Sequence, residues 1–581
     1  MSDNFPGNRF LGASWRPGAD PATIARLRAA VAGWAVVEGA GWLLASEQAR
    51  CFAQAGSRSV ALGGPRAFDR NAASFPDAAA VAAGLARYGA SALGGMAPPF
   101  RAAWADESAN AVHADTDLFG LGPVFLASEG GFVALSSSAT LLARVMAAAP
   151  AAAALAAFAL FGGFLGQETP FAGVTKLSAN SSVTLMNGGL TVEPKTPAAE
   201  PSANAAEALR ASVGAMLKAV PDAELELSGG LDSRLILAAM PPEERRGRSA
   251  ITIGVAGEPS QDVTVAQVIA EAEGLNWSLL DAGAIAGLDA AGLDQLLTRA
   301  TAAYDHMANP VDKVALITAG AGRSVRARFG GQNGEILRGF YYAGQPLDAP
   351  PSEALARRLV SWRLTANDKV DENILAPGAR GELRVAAEER MVALLLSFGG
   401  NWGETLDRFY LAQRMQNWVG NSVGNRLLEH VPLYPFFDPA FVAASMATPA
   451  AQKLNSRAAY RLLTELDMPL ARRRLAGGGV PAAVPGSRLA TRLADLRLDL
   501  DRVAGRLRRR LAGQGRATLG SQTVSQHWHR LKLHERLPVD RLARTGLFDE
   551  TALARISAGH WLPDRPTLGF LLVAAGLEER L

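Results

Sequence analysis

The sequence predicts two domains of different fold class: an α+β domain over residues 1–196, then an α/β domain with a parallel sheet and a helical C-terminal part over residues 203–581. Three observations support this division. A chain of 581 residues exceeds what one hydrophobic core usually supports. Proline-rich polar sequence interrupts the apolar pattern between 191 and 206, as in a linker. The spacing of apolar residues also differs on the two sides of that break.

Short apolar runs in the first domain are separated by Gly-Gly or Asn-Gly pairs. The runs PVFLASE and FVALSSS flank Gly130-Gly131, and NSSVTLM and GLTVE flank Asn187-Gly188. Such pairs adopt the positive φ that two-residue hairpin turns require. The sequence therefore predicts antiparallel hairpins in this domain.

One stretch of the first domain, from Val145 to Leu165, is rich in Ala, Leu and Phe. A membrane span is one interpretation of such a stretch. Pro150 interrupts it, however, and Gly162-Gly163 weakens its end. Length and flanking residues therefore favour a buried helix within a large domain, and no transmembrane segment is predicted.

Strand and helix patterns alternate after the linker. A helix pattern over 205–219 leads to the strand AELELS, and the helix SRLILAAM follows a glycine turn. The strand AITIGVA, the helix VTVAQVIAEAEG and the apolar run NWSLLD come next. This alternation is typical of a parallel sheet with helices on both faces. From about Arg380 onward the pattern is mostly helical.

A basic amphipathic helix is predicted from Ser487 to Leu511. Its apolar residues recur at steps of three or four: Leu489, Leu493, Leu496, Leu500, Val503, Leu507 and Leu511. Between Arg472 and Arg510 there are eleven Arg and three Asp. A solvated basic face explains this charge, while a docking face for an acidic peptide or protein, or for membrane or RNA, is the functional alternative.

Composition excludes several classes of function. A net charge of +3 is too small for the whole chain to be a nucleic-acid-binding protein. The single cysteine, Cys51, permits neither an internal disulfide nor a multi-cysteine metal site, and it fits a reducing compartment. The first ten residues are polar and contain no apolar signal sequence, so we expect a cytoplasmic protein.

The segment Ser228-Gly229-Gly230-Leu231-Asp232-Ser233 joins a predicted strand to a predicted helix. Glycines let the backbone turn tightly and approach a ligand closely. Hydroxyls and the free N–H groups of a helix start bind phosphate or pyrophosphate, and Asp232 adds a carboxylate suited to Mg²⁺. The Gly-Lys-Ser/Thr ending of a Walker P-loop is absent.

This segment resembles the PP-loop, SGGxDS, of ATP pyrophosphatases. That resemblance implies an enzyme that splits ATP between its α- and β-phosphates and transfers AMP to an oxygen nucleophile. It also implies that Ser228, Gly229, Gly230, Leu231 and Ser233 bind the nucleotide phosphates, while Asp232 binds Mg²⁺ and takes part in catalysis. ATP and Mg²⁺ are the implied cofactors.

Later segments resemble asparagine synthetases in particular. Asp262 lies at the start of the next predicted helix, as in that family. Gly330-Gly-Gln-Asn-Gly-Glu-Ile-Leu-Arg-Gly-Phe-Tyr341 is similar to the family's SGxGxDELFGGY segment, which implies nucleotide binding by Gly331 and a second Mg²⁺ ligand at Glu335. The segment Tyr434-Pro-Phe-Phe-Asp438 resembles PFLD. Arg457 follows it at the position of a family lysine, which implies a catalytic cation that offsets the charge of departing pyrophosphate.

The front half resembles the glutaminase domain of the same family, an Ntn-type fold, through DTDLFGLGPVFLASEGGFVALSSSATLLARVM. Class II glutaminases use a cysteine that becomes the first residue once Met is removed. Here Ser2 follows Met1, and Cys51 lies far inside the chain. We therefore expect a degenerate glutaminase-like domain that releases no ammonia, so that the amine has another source.

Among members without a glutaminase, the segments FYLAQRMQNWVGNSV and RAAYRLLTELDMPLARRRLAGGGVP look most like lasso-peptide cyclases. This resemblance implies a macrolactam synthetase that acts on a leader-cleaved precursor peptide, with a leader peptidase and a leader-binding protein as partners. Two alternatives stay open. One is a small-molecule amide or β-lactam synthetase with the same ATP site, and the other is a non-catalytic scaffold.

Overall fold

The computed structural model describes residues 8–64, 67–196, 204–258, 260–320, 323–365, 369–423, 430–483 and 521–578. The strands of the N-terminal part are β1 Phe10–Trp15, β2 Ala35–Gly39, β3 Trp42–Ser46, β4 Phe52–Ala55, β5 Arg58–Leu62, β6 Phe68–Asp69, β7 Met96–Ala97, β8 Arg101–Asp106, β9 Ala111–Thr116, β10 Phe125–Glu129, β11 Phe132–Ser136, β12 Val174–Lys176, β13 Ser181–Met186 and β14 Gly189–Pro194. Its α-helices are α1 Pro21–Ala30, α2 Ala78–Tyr88, α3 Ala139–Met146 and α4 Ala152–Phe161.

Two antiparallel sheets form the N-terminal domain. Among the described residues each main sheet has six strands, in the orders β12-β10-β11-β1-β3-β2 and β14-β13-β9-β8-β5-β4. Leu44, Val112 and Leu135 belong to the apolar layer between the two sheets. Helices α1, α3 and α4 cover the outer face of the first sheet, and α2 covers that of the second. The predicted α+β class is confirmed by this helix–sheet–sheet–helix layering.

Both predicted hairpins are present. Strands β10 and β11 meet at Gly130-Gly131, whose φ values are 55° and 81°. Strands β13 and β14 meet at Asn187-Gly188, with φ of 51° and 69°. Positive φ at both central residues gives the turn a twist that matches the strands, which explains why these residue pairs stand there.

The single buried helix predicted over Val145–Leu165 is wrong in its extent. The chain instead forms α3 and α4, which both contribute to the apolar core. Helix α3 ends where Ala147 turns left-handed at φ 50°, and Pro150 pairs with Phe171 in an isolated β-bridge. Proline lacks an N–H and restricts the preceding residue, so the helix is interrupted there.

A parallel sheet organises the C-terminal part. Its strands are β15 Glu224–Glu226, β16 Ser249–Gly254, β17 Asn276–Asp281, β18 Arg326–Phe329 and β19 His430–Leu433. In the part of the chain that the structure describes, these five strands lie in the order β17-β16-β15-β18-β19, and all neighbours are parallel. The predicted parallel sheet is therefore confirmed, with β15 in its centre.

Helices flank both faces of this sheet and continue to the C-terminus. The α-helices are α5 Ala205–Ala219, α6 Asp232–Ala239, α7 Gln261–Glu273, α8 Ala290–Ala303, α9 Val311–Gly320, α10 Glu353–Leu359, α11 Arg384–Leu396, α12 Trp402–Phe409, α13 Gly420–Val423, α14 Pro439–Ala447, α15 Ala450–Lys453, α16 Arg457–Leu466, α17 Met468–Ala471, α18 Ser521–Arg530, α19 Val539–Arg544, α20 Glu550–Ser557 and α21 Arg565–Glu578. Three π-helices span Val360–Leu364, Ala379–Leu383 and Tyr410–Val419 within the described ranges.

Several outcomes of the sequence predictions follow from these elements. The helix predicted over 205–219 is α5, and the mostly helical character after Arg380 is confirmed, with β19 as a strand within it. The predicted basic helix over 487–511 lies outside the described residues. Strand β14 ends at Pro194 and α5 begins at Ala205, while the domain boundaries at 196 and 203 stay a prediction. Over the described ranges, every helix is too short or too polar to cross a bilayer.

The two parts of the chain pack against each other. Phe119 of the N-terminal part contacts Phe437, with ring centroids 5.8 Å apart. The Lys176 ammonium, at the end of β12, hydrogen-bonds the side-chain oxygen of Asn417 in the Tyr410–Val419 π-helix. Gln413 of the same π-helix donates to the Phe164 carbonyl at 2.6 Å. This π-helix therefore lies at the contact between the two parts.

Candidate functional site

The SGGLDS loop (Ser228–Ser233) connects the central strand β15 to helix α6. The backbone N–H of Ser228 donates to the Ser233 hydroxyl at 3.0 Å, and the two serine hydroxyls lie 3.1 Å apart. The Gly230 N–H donates to the Ser228 hydroxyl at 3.2 Å. No side chain caps α6, because Leu231 stands at its N-cap. The loop thus places two hydroxyls beside a helix start, an arrangement that suits a phosphate anion.

Close packing explains the first glycine of the loop. A Cβ at Gly229 would lie 2.7 Å from the Ala476 Cβ and 3.0 Å from the Val265 Cβ. The Ala476 N–H also donates to the Gly229 carbonyl at 3.0 Å. A larger residue at 229 would therefore push the loop away from helix α7 and from the segment around Ala476.

Arg234, directly after the loop, holds that segment in place. Its guanidinium is fully buried and donates to the Arg473 carbonyl at 2.7 Å and to the Arg474 carbonyl at 3.0 Å. Burial lowers the pKa of Arg234 to about 10, helped by the nearby charge of Arg473. Sequence analysis did not single out Arg234, because its partners are carbonyls that lie about 240 residues away.

The GGQNGEIL loop (Gly330–Leu337) follows β18, the strand next to β15, and lies against Asp232. A Cβ at Gly331 would lie 3.1 Å from the Asp232 Cβ, and one at Gly334 only 2.6 Å from Oδ1 of Asp232. Asn333 adopts φ 74° and donates through Nδ2 to the Phe436 carbonyl at 2.8 Å, which fixes the turn. Glu335 lies in the 3₁₀ turn that follows. The structure thus brings together the two loops that the sequence predicted to form one site.

The pKa of the Asp232 carboxyl group is shifted from its ordinary value. Burial raises the pKa of Asp232 to about 6, Arg338 opposes the rise, and the charge of Glu335 adds to it. Arg338 donates to Oδ2 at 2.9 Å, whereas the buried Oδ1 accepts no hydrogen bond from the described residues. An acidic pair with one oxygen unpartnered fits a divalent cation that is shared with phosphate oxygens.

Tyr410, the first residue of the Tyr410–Val419 π-helix, supports Glu335. Its phenol donates to Oε2 of Glu335 at 3.2 Å. Burial raises the pKa of Tyr410 well above its ordinary value, and Glu335 raises it further, so the phenol stays protonated and acts as a donor. π-Helices are rare and are frequent at functional sites. Nothing in the sequence pattern marked Tyr410 or Arg338 for this site.

The other predicted residues take different places. The Leu231 side chain is 4% exposed and packs in the apolar core, and nucleotide binding by Leu231 stays a prediction. Asp262 lies in the first turn of α7, where burial raises its pKa and a hydrogen bond with the Gly229 backbone opposes the rise. Arg457 begins α16, and its guanidinium donates to the Ala451 carbonyl at 2.5 Å. The catalytic role of Arg457 stays a prediction.

A cavity of about 170 Å³ lies beside the GGQNGEIL loop, near the carboxyl ends of β15, β16 and β17. Ile253 and Leu280 line it from β16 and β17, and Gln332 lines it from the GGQNGEIL loop. Charged groups contribute as well, including Glu226 at the end of β15 and Lys313 of α9. Ligands of open α/β sheets bind in such crevices outside the carboxyl ends of the strands.

No cluster of three or more His, Cys, Asp or Glu side chains suited to a metal occurs in the described ranges. For a metal at the two loops, the protein would supply two carboxylates, those of Asp232 and Glu335. Mg²⁺ is commonly bound by one or two carboxylates, with substrate phosphates and water completing the coordination. The residues present fit a metal that arrives together with a phosphate ligand.

These features define a class: two antiparallel sheets followed by an open parallel sheet, with the SGGLDS loop between its central strand and the next helix. Residues 204–365 match the family model described as asparagine synthase. That segment contains both loops and ends before Arg457. Over these residues the chain is similar to that family.

Solved structures give distant similarities. Glutamine phosphoribosylpyrophosphate amidotransferase from B. subtilis, complexed with ADP and GMP, matches at 11% identity and a TM-score of 0.23. That match covers 47% of this chain and 65% of the other chain. A structure titled as the allosteric regulatory enzyme of purine biosynthesis matches at 12% identity, a TM-score of 0.23 and coverages of 47% and 64%. The chain thus spans less than two thirds of either protein. No curated protein matches it.

Proposed function

We propose that this protein is an ATP-dependent, AMP-forming amide ligase that activates a carboxylate as an acyl-adenylate and passes it to an amine. The observation that carries the proposal is the meeting of the SGGLDS loop with the GGQNGEIL loop, which places Asp232 against Glu335. In the reaction, a carboxylate oxygen attacks the α-phosphorus, the bond from that phosphorus to the α,β-bridging oxygen breaks, and pyrophosphate leaves. The amine then attacks the acyl carbon, AMP leaves, and the amine loses a proton.

Asp232 and Glu335 would hold Mg²⁺, which supplies charge neutralisation to the phosphates when bound. Arg338 donates to Oδ2 of Asp232 and so leaves Oδ1 as the oxygen available to a cation. Tyr410 orients Glu335 through its hydrogen bond to Oε2. Ser228 and Ser233 offer hydroxyls to the phosphates at the start of α6. We assign Arg457 to the departing pyrophosphate, as its place after the PFFD segment suggests.

The substrate we propose is a leader-cleaved peptide that is closed into a macrolactam. The segment that most resembles lasso-peptide cyclases, FYLAQRMQNWVGNSV, forms the Tyr410–Val419 π-helix and α13, next to Glu335. The single cysteine, Cys51, is 3% exposed, which leaves it inaccessible as a glutaminase nucleophile. Joining two ends of one bound peptide raises their effective concentration strongly. A leader peptidase and a leader-binding protein would deliver the peptide.

The test is to incubate candidate peptides with the protein, ATP, Mg²⁺ and the partner peptidase, and to measure peptide mass and nucleotide products. We expect a peptide lighter by one water, with AMP and pyrophosphate. Replacing the ring-forming Asp or Glu of the peptide by Ala should abolish the mass change. Asp232→Ala should abolish both products, because the phosphate charge is then uncompensated.

Three other outcomes would refute parts of this proposal. Formation of ADP and orthophosphate would refute adenylation. Turnover of a free amino acid with no peptide cyclised would identify a small-molecule amide or β-lactam synthetase instead. Peptide maturation that depends on the protein but is unaffected by Asp232→Ala would identify a scaffold.

A further inference from the structure

Strand β15 carries two glutamates on the same side of a central strand, where apolar residues are usual in a parallel sheet; Glu224 is buried and Glu226 is half-buried. Both carboxylate oxygens of Glu224 accept hydrogen bonds from neighbouring side chains. Arg323 donates to its Oε1 at 2.9 Å, Arg328 to its Oε2 at 3.2 Å, and the Ser249 hydroxyl to Oε1 at 3.2 Å. A buried carboxylate needs such partners, because removal from water is otherwise very unfavourable.

Glu226 differs from Glu224 in its partners. It lies two residues before Ser228, at the carboxyl end of β15, and lines the cavity of about 170 Å³. The positive charges of Arg328 and Lys313 favour its ionised form. Its carboxyl group accepts no hydrogen bond from the described residues, in contrast to Glu224. Burial raises the pKa of Glu226, and the two cations oppose the rise. A carboxyl group that faces a cavity without a hydrogen-bond donor indicates a donor on a ligand.

The shape of the cavity limits what that ligand group is. Its volume of about 170 Å³ is below the roughly 300–1,000 Å³ of sites that enclose a drug-sized ligand, so it holds one group of a larger molecule. Ile253 and Leu280 give it apolar walls, and the ring of Tyr434 lines it too. A flat, largely apolar group with a polar edge fits these walls. A nucleotide with its phosphates on the SGGLDS loop brings such a group, its base, to the same edge of the sheet.

We propose that Glu226 determines nucleotide specificity by accepting a hydrogen bond from the exocyclic 6-amino group of a purine base. This inference rests on the proposed function, because it takes the ligand of the SGGLDS loop to be ATP. Adenine presents an amino donor at C6, whereas hypoxanthine and guanine present a carbonyl acceptor there. A carboxylate oxygen pairs with the donor and is repelled by the carbonyl. Glu226 would act in recognition of the base, so the proposal is tested by measuring nucleotide binding.

The test is calorimetric titration of the full-length protein with Mg²⁺ and α,β-methylene-ATP, an analogue that cannot be cleaved between its α- and β-phosphates. The same analogue lacking the 6-amino group, and one carrying two methyl groups on it, serve as probes. We expect wild-type protein to bind the 6-amino analogue about ten- to a hundredfold more tightly than either probe, since a hydrogen bond to a charged group is lost. Glu226→Leu should reduce that ratio to about threefold or less. Glu226→Gln should keep a preference of about tenfold or less, because the amide oxygen is still an acceptor but carries no charge.

Glu224→Gln is the matched control, since Glu224 belongs to the same strand and its carboxylate is engaged within the protein. We expect it to lower thermal stability and leave the base preference unchanged. If Glu226→Leu does not fold, the three analogues are compared on wild-type protein and Glu226→Gln, and the preference should be smaller in the variant. Equal binding of all three analogues, or tighter binding of either probe, overturns the role of Glu226. If AMP forms while the 6-amino group makes no difference, that role fails and the proposed function stands. If no nucleotide binds, both fail.

Discussion

Replacing Asp232 by Asn should stabilise the metal-free protein while abolishing its reaction. The pKa of Asp232 rises from 3.8 to about 6, chiefly because of burial. Each unit of pKa corresponds to 1.36 kcal/mol, so the ionised carboxylate destabilises the folded chain by about 3 kcal/mol. Asn keeps the shape and an oxygen acceptor for Arg338, but it removes the buried charge. A buried charge that serves a reaction commonly lowers the stability of the folded protein in this way.

The pH dependence follows from proton binding in the two states. Between pH 3.8 and about 6 the folded chain holds the Asp232 proton while the unfolded chain has released it. Wild-type stability therefore falls as the pH rises through this range and stays low above it. Asp232→Asn lacks this fall. At pH 8, without metal, we expect its unfolding midpoint to be roughly 2–4 °C above wild type, and below about pH 4 the difference should vanish.

The assay is thermal unfolding in a chelating buffer at several pH values, followed by a Mg²⁺–ATP turnover measurement on the same samples. Asp222→Asn, at an exposed position outside both loops, is the control for loss of one negative charge. It should change neither the pH profile nor turnover. An Asp232→Asn protein that is no more stable than wild type at pH 8, or that still forms AMP, would refute the reasoning.

Three further predictions concern residues outside the two loops. Tyr410→Phe removes the donor to Glu335, so the Mg²⁺ concentration for half-maximal turnover should rise about tenfold; an unchanged Mg²⁺ titration would contradict the assigned support. Burial lowers the pKa of Lys176 to about 7, so wild-type stability should rise between pH 7 and 9 as the unfolded chain alone stays protonated, and Lys176→Met should lack that rise in thermal unfolding. Cys51→Ser should leave turnover near wild type, and glutamine should be inert as an amine donor; ammonia release from glutamine in a coupled assay would contradict this.

Features encoded over a few residues could be predicted from the sequence. The hairpins at Gly130-Gly131 and Asn187-Gly188 follow from residues that tolerate positive φ, and helix α5 follows from a regular apolar pattern. The approach of Asp232 to Glu335 could be expected because both follow the carboxyl ends of parallel strands. Local chemistry decides each of these cases, so the sequence pattern suffices.

Other parts of the site depend on contacts between distant segments. Arg338 reaches Asp232 across 106 residues of sequence, and Tyr410 reaches Glu335 across 75. Tyr410 begins a π-helix, whose wider hydrogen-bond spacing has no residue signature comparable to a hairpin turn. Pro150 marks the interruption between α3 and α4 in the sequence, but the two separate helices and the pairing of Pro150 with Phe171 depend on tertiary packing.

The Tyr410–Val419 π-helix makes the candidate site depend on the N-terminal part of the chain. Tyr410, its first residue, donates to Glu335, while Gln413 and Asn417 contact the Phe164 carbonyl and the Lys176 side chain. One helix therefore contacts both the N-terminal part and an acidic residue of the site. A substitution that shifts the N-terminal part against this helix is expected to displace Tyr410 and, through it, Glu335, although the substituted residue touches neither loop.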